Sequence, residues 1–122
     1  MKTIYLSGPM SGYEHSNFPA FDYAAGKLRE EGFAVFSPAD NDRRYGLTGE
    51  LGVPLPPGVT INTLMKDDTT FICDEADTIA MLPGWERSAG ANAEIALAKA
   101  LGLNVLILGK EYAVPKKTGV LT

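Results

Sequence analysis

The chain has a single cysteine, Cys73, and a single histidine, His15. One cysteine excludes an intrachain disulfide and fits a reducing, cytosolic compartment. One of each leaves too few ligands for an ordinary zinc site, so no metal is expected, and no cofactor motif takes its place. Basic residues are also scarce, with 11 Lys and Arg against 15 Asp and Glu and a formal charge of -4. They group only at Asp42-Arg43-Arg44 and Lys116-Lys117, which argues against a polymeric nucleic acid as partner. A small anion remains possible, because the N–H groups that open a helix hold phosphate without basic side chains. Long apolar runs are missing as well. The opening MKTIYLSGPMSG has only a four-residue strand-like run, too short for a signal peptide, and no span approaches a membrane helix.

What is present describes one globular domain. The 122 residues suit a single core, and 45% apolar with 21% charged residues is not the profile of a disordered chain. Thr3 to Leu6, Phe33 to Phe36, Thr78 to Leu82 and Asn104 to Leu108 read as strands. In the first, successive residues are apolar, as in a parallel strand covered on both faces. Between them lie helical patterns. From Pro19 to Glu31 apolar residues recur at Phe21, Ala24, Ala25 and Leu28, with Gly32 as the stop. Helices are also expected over about Ile61 to Cys73 and Gly90 to Leu101. Residues 38 to 60, rich in glycine and proline, read as a long specificity or lid loop with at most one helical turn. The tail from Tyr112 to Thr122 is expected to be mobile unless it docks on another subunit. Alternating strands and helices give an α/β fold, with right-handed crossovers that place the loops after Leu6 and Leu82 at one sheet edge. Ligands bind there in open parallel sheets.

Several residues at that edge have both a plain and a chemical reading. Ser7-Gly8-Pro9-Met10-Ser11-Gly12 is a tight turn that could also bring backbone amides to a ligand. It has neither the dinucleotide-binding glycine spacing nor the lysine of a phosphate-binding P-loop. In PGWERSAGANAEIALAKALG, Ser88 is placed to cap a helix. Glu94, six residues on, leans back toward it along an alanine-rich face. Either Glu94 is a solvated glutamate of good helix propensity, or it serves a pocket beside an anion held at the first turn. Asp67, Asp68, Asp74, Glu75 and Asp77 form an acidic cluster. Two carboxylates in one pocket divide labour, one ionised and one protonated, whereas most such clusters are solvated faces. Periodicity does not choose between Asp67 and Asp68. Trp85, after Gly84, and Tyr5 can stack on a flat ligand or serve as packing. His15 reads as a surface loop residue and Cys73 as a small buried hydrophobe.

IYLSGPMSG together with LPGWERSAGANAEIALAKALG resembles the nucleoside 2-deoxyribosyltransferase-like superfamily. That superfamily includes nucleoside 5′-monophosphate N-glycosidases, and the likeness is closest to its small, often phage-borne members of unknown function. The resemblance runs from Lys2 to about Leu108. It implies a single Rossmann/flavodoxin-like three-layer domain spanning residues 1–122, with a parallel sheet of four or five strands. It implies cleavage of an N-glycosidic bond by hydrolysis or by base exchange, with a non-catalytic nucleotide binder as the alternative. By the same resemblance Glu94 takes the nucleophile's place, Ser88 meets a 5′-phosphate, and Gly90 lies between them. Ser7, Gly8, Met10 and Gly12 line the sugar and phosphate, with Pro9 and Ser11 in the same loop. Tyr5 stands near the sugar, and Asp68, or Asp67, supports the reaction. Gly84 and Trp85 flank the site. A homodimer or larger homo-oligomer is implied, although the chain ends earlier than the larger relatives.

Overall fold

The computed structural model describes residues 2–50 and 52–115. Four strands form one parallel sheet: β1 (Thr3–Ser7), β2 (Ala34–Phe36), β3 (Thr78–Met81) and β4 (Asn104–Ile107). Their order is β2-β1-β3-β4, with Tyr5 opposite Phe36 on one side and Ile79 on the other. The connecting helices are α1 (Phe18–Glu30), α2 (Pro38–Arg44), α3 (Ile61–Asp74) and α4 (Ala89–Ala100). This is a Rossmann/flavodoxin-like three-layer arrangement. The chain runs outward to β2 in one direction and to β3 and β4 in the other, which makes β1 and β3 the switch point where such sheets open a ligand crevice.

The pleat divides the core into two layers, because side chains alternate across a strand. Ile4 and Leu6 of β1, with Ala80 and Leu82, pack on Phe21, Ala24, Ala25 and Leu28 of α1. Tyr5 of β1, with Ile79 and Met81, packs on Ile72 of α3 and on Ala91, Ile95 and Ala98 of α4. Each helix buries residues three or four apart, the stripe that the apolar spacing called for. The alternation also sends Ser7 to the α4 side, which matters for the site.

Two features depart from the sequence reading. Residues 38 to 44 form a helix of nearly two turns, not a loop. Ser37 stands at the N-cap and Pro38 inside the first turn, so the proline that stops β2 also starts α2. The irregular stretch is therefore residues 45 to 50 and 52 to 60. Cys73 is exposed rather than buried. Asp68 and Ile72 carry the inward face of α3, and the next residue is turned about 100° away from it. At the other end of the chain, Lys110–Tyr112 make a short 3-10 turn and the Tyr112 hydroxyl donates to Glu31 at 2.7 Å. The rest of the tail, residues 116 to 122, lies outside the described residues.

Candidate functional site

The loop after β1 enters the crevice under tight steric control. A Cβ on Gly8 would come within 2.7 Å of the Leu82 Cβ, so only glycine lets this loop pass the end of β3. The chain then turns through His15, Ser16 and Asn17, three non-glycine residues in succession at positive φ. Such residues cost about 1–2 kcal/mol each, and local contacts hold them in place. Asn17 Nδ2 donates to the Pro9 carbonyl at 2.9 Å, Ser16 Oγ to the Gly49 carbonyl at 3.1 Å, and His15 Nδ1 pairs with Glu50 at 2.9 Å. Gly49 itself has φ +83, and a Cβ there would lie 2.6 Å from the His15 carbonyl oxygen. The two loops are thus stitched together over the sheet's carboxyl edge.

Beneath them is a cavity of about 510 Å3, within the usual range for small-ligand sites. It is lined by Gly8, Met10 and Ser11 after β1, by the α4 N-cap Ser88, and by Gly90 and Glu94 on α4. The rest of the lining is largely apolar, including Leu64 and Met65 of α3 and Leu47, Val53 and Leu55 of the irregular stretch. Four acidic residues line it: Glu94 from α4, Asp68 from α3, Asp42 from α2, and Glu50 from the loop, where it is paired with His15.

Glu94 does not point to bulk water. It shares the inward face of α4 with Ala91, Ile95 and Ala98, and it is 7% exposed. Ser7 Oγ donates to its Oε1 at 2.6 Å, and the Tyr5 hydroxyl donates to its Oε2 at 2.8 Å. Both donors lie on β1 and are wholly buried, so the sheet aims the carboxylate. Burial raises the Glu94 pKa, and the two hydroxyl donors work against that rise by favouring the charged form. Burial, followed by the nearby Glu94 and Asp68 charges, holds the Tyr5 phenol protonated well beyond its ordinary range.

The structure separates Asp68 from Asp67. Asp68 is 8% exposed, lines the cavity, and its Oδ1 has no hydrogen-bond partner among the described residues. Burial first, then the Glu94 and Asp42 charges, push its carboxyl up to about 8. At neutral pH Asp68 is therefore mostly a neutral acid with a proton to donate. Asp67 faces α2, where it accepts from Tyr45 and from Asn41 at 2.5 and 3.3 Å. These bonds hold it below the usual carboxylate range.

Other sequence-selected residues are placed less directly. Tyr5 and Ser7 reach the cavity through Glu94 and do not line it. Pro9 is buried, and its carbonyl is taken by Asn17. Gly12 turns at φ +83 in the exposed part of the loop, away from the cavity. Gly84 packs against the Tyr13 hydroxyl and Arg87, and Trp85 packs on the α4-side core. Neither lines the cavity; the 3-10 turn Trp85–Arg87 precedes the N-cap Ser88, and Trp85 is turned onto the core. His15 is half-exposed and paired with glutamates. Asp77 is a turn residue that accepts from the Thr3 N–H and the Thr78 hydroxyl. The sequence reading missed Asp42. The available signal was its spacing from Pro38, which places both on one face of α2.

At the start of α4, Ser88 Oγ accepts from the Ala91 N–H at 3.2 Å and caps the helix. The N–H groups of Ala89 and Gly90, its first residues, have no partner within the helix. Among the described residues no cluster of His, Cys, Asp and Glu could hold a metal ion. Nor is any helix long and apolar enough to cross a membrane.

Fold and site together define a parallel α/β domain with a carboxylate-lined small-molecule cavity at its switch point. Residues 2–107 match the family model described as a domain of unknown function, DUF4406, and the chain belongs to that family. A search of the curated proteins found no match.

Proposed function

We propose that this protein hydrolyses the N-glycosidic bond of a nucleoside or deoxynucleoside 5′-monophosphate, with base exchange as a close variant. The observation that carries the reading is the buried Glu94 carboxylate, clamped by the Tyr5 and Ser7 hydroxyls in the cavity it shares with the protonated Asp68. Cleavage of this bond builds positive charge on the sugar. A desolvated carboxylate placed below the anomeric carbon stabilises that charge or bonds to it. In the proposed sequence a Glu94 oxygen attacks C1′ and the C1′–N electron pair leaves with the base. Asp68 supplies the proton that neutralises the base. Water then attacks C1′, the Glu94 ester bond breaks, and the proton lost by water returns to Asp68. The products are free base and sugar phosphate. The division of labour is that of two-carboxylate glycosidases, one group charged and one protonated. Incubation with a panel of nucleoside 5′-monophosphates, with chromatographic separation of the products, tests it. Free base from at least one member is expected, and none from any member overturns the reading. An added second base that appears in product marks the transferase variant.

The 5′-phosphate is assigned to the first turn of α4, where Ser88, Ala89 and Gly90 border the cavity and the helix dipole favours an anion. The Ser88→Ala protein is expected to lose about 1 kcal/mol of stability with its cap. Its kcat/KM for a monophosphate should fall about tenfold or more, while the value for the matching nucleoside changes little. Equal losses on both substrates would show that Ser88 only caps the helix.

Self-association is also proposed. The edge strand β4 leaves Val105, Leu106 and Ile107 exposed, and Leu101 at the end of α4 is exposed beside them. An uncovered apolar edge strand is a template for pairing with a second chain. Light scattering should give twice the monomer mass at micromolar concentration, and the Ile107→Asp protein should be monomeric. A monomeric wild type excludes this interface.

A further inference from the structure

Asp42 is the third carboxyl group that the helices bring to the cavity, which Glu50 also lines while paired with His15, and nothing in the reaction above uses it. It enters from α2, its side chain makes no hydrogen bond among the described residues, and it lines the cavity. α3, which carries Asp68, packs against both α4 and α2, and the Asn41 amide of α2 donates to the neighbouring Asp67, so Asp68 stands between Glu94 and Asp42. The spacing follows from the sheet: Glu94 is tied to β1, whereas α2 rises from β2, one strand further out. The cavity lining between the helices is largely apolar, including Leu64 and Met65 of α3 and Leu47 and Val53 of the irregular stretch, which suits a flat ring. A sugar over Glu94 with its glycosidic nitrogen toward Asp68 would extend its base toward α2, and so toward Asp42.

We infer that Asp42 is a specificity-determining residue that accepts a hydrogen bond from the exocyclic amino group of the base, so that the cavity prefers amino bases to their oxo counterparts. This rests on the nucleotide reading of the site. Burial raises the Asp42 carboxyl only to about 6, so near pH 7.5 it is mostly ionised and can only accept. An amino group satisfies it. A carbonyl oxygen in the same place sets two acceptors against each other and leaves a half-buried carboxylate unpaired, a costly outcome.

The test measures binding, not turnover. In a Glu94→Gln background, which prevents turnover under the proposed mechanism, calorimetry at pH 7.5 compares cytidine with uridine 5′-monophosphate and adenosine with inosine 5′-monophosphate. At least one amino-bearing member should bind tenfold or more tightly than its oxo partner. Addition of Asp42→Asn, an isosteric change whose amide can also donate to a carbonyl, should bring that ratio to about one or invert it. Asp42→Ser, which withdraws the group, should abolish the ratio as well, and thermal melts establish that each variant is folded. Equal binding within both pairs, a preference that survives both substitutions, or no binding of any monophosphate overturns the inference. Binding with the expected preference but no base release by the wild type would sink the hydrolase reading and leave Asp42 as the base reader of a nucleotide-binding site.

Discussion

The Glu94→Gln protein is expected to release free base at least about a thousandfold more slowly than the wild type. The substitution keeps the length and shape of the side chain and removes only its charge and nucleophilicity. Under the proposed mechanism nothing else in the cavity can replace it. Asp68 is protonated near neutral pH, Asp42 comes from α2 on the far side of α3, and Glu50 is paired with His15. The fold should survive. Ser7 and Tyr5 keep one acceptor in the amide oxygen, and the other hydroxyl turns to accept from the amide nitrogen. Glu94→Ala is the poorer probe, because it strands two buried hydroxyls that donate at 2.6 and 2.8 Å. Each buried group left unpaired costs about 1–3 kcal/mol. Single-turnover assays with unchanged circular dichroism would settle the matter, and a loss smaller than tenfold would remove Glu94 from the chemistry.

The Asp68→Asn protein should be more stable than the wild type at alkaline pH and slower in catalysis. The Asp68 carboxyl is pushed from an ordinary value near 3.8 to about 8 in the folded state. Between those values the folded chain holds a proton that the unfolded chain has released. Stability therefore falls as pH rises across the window and levels off above it. Below pH 4 both states are protonated and this penalty is absent. Each unit of difference is worth about 1.4 kcal/mol. With water in the cavity screening part of that, the amide should recover about 3 kcal/mol at pH 9, a rise in Tm of roughly 10 °C. At pH 4 the two proteins should melt together. The same proton governs catalysis: wild-type activity should decline as pH rises through about 8, and the variant should lose both rate and that alkaline limb. Melting curves from pH 4 to 9 and a pH–rate profile provide the check. Equal Tm at pH 9 would mean that Asp68 is ionised and solvated in the folded protein.

Both expectations depend on a carboxyl group that neither propensity nor periodicity could choose. Asp67 and Asp68 are neighbours on α3 and have the same chemistry. A rotation of about 100° sends one to Tyr45 and the other into the cavity. Only the packing of α3 against the sheet, with Ile72 as the buried anchor, decides which is which. Trp85 illustrates the converse. Its place in a loop at the ligand edge suggested a ligand contact, but a 3-10 turn lays it on the core. Asp42 was hidden because Ser37-Pro38 reads equally as the end of a strand and the start of a helix, and the glycines beyond it resemble one long loop.

The sequence alone determined the strand and helix alternation and the parallel sheet, because these follow from local periodicity and from glycine and proline geometry. Tertiary structure alone decided that Glu94, Asp68 and Asp42 share one cavity, that two β1 hydroxyls hold the first, and that burial keeps a proton on the second. The physical reason is that proton affinity depends on surrounding solvent and charge. Those come from segments as far apart as Tyr5 and Glu94, whose approach no local pattern records.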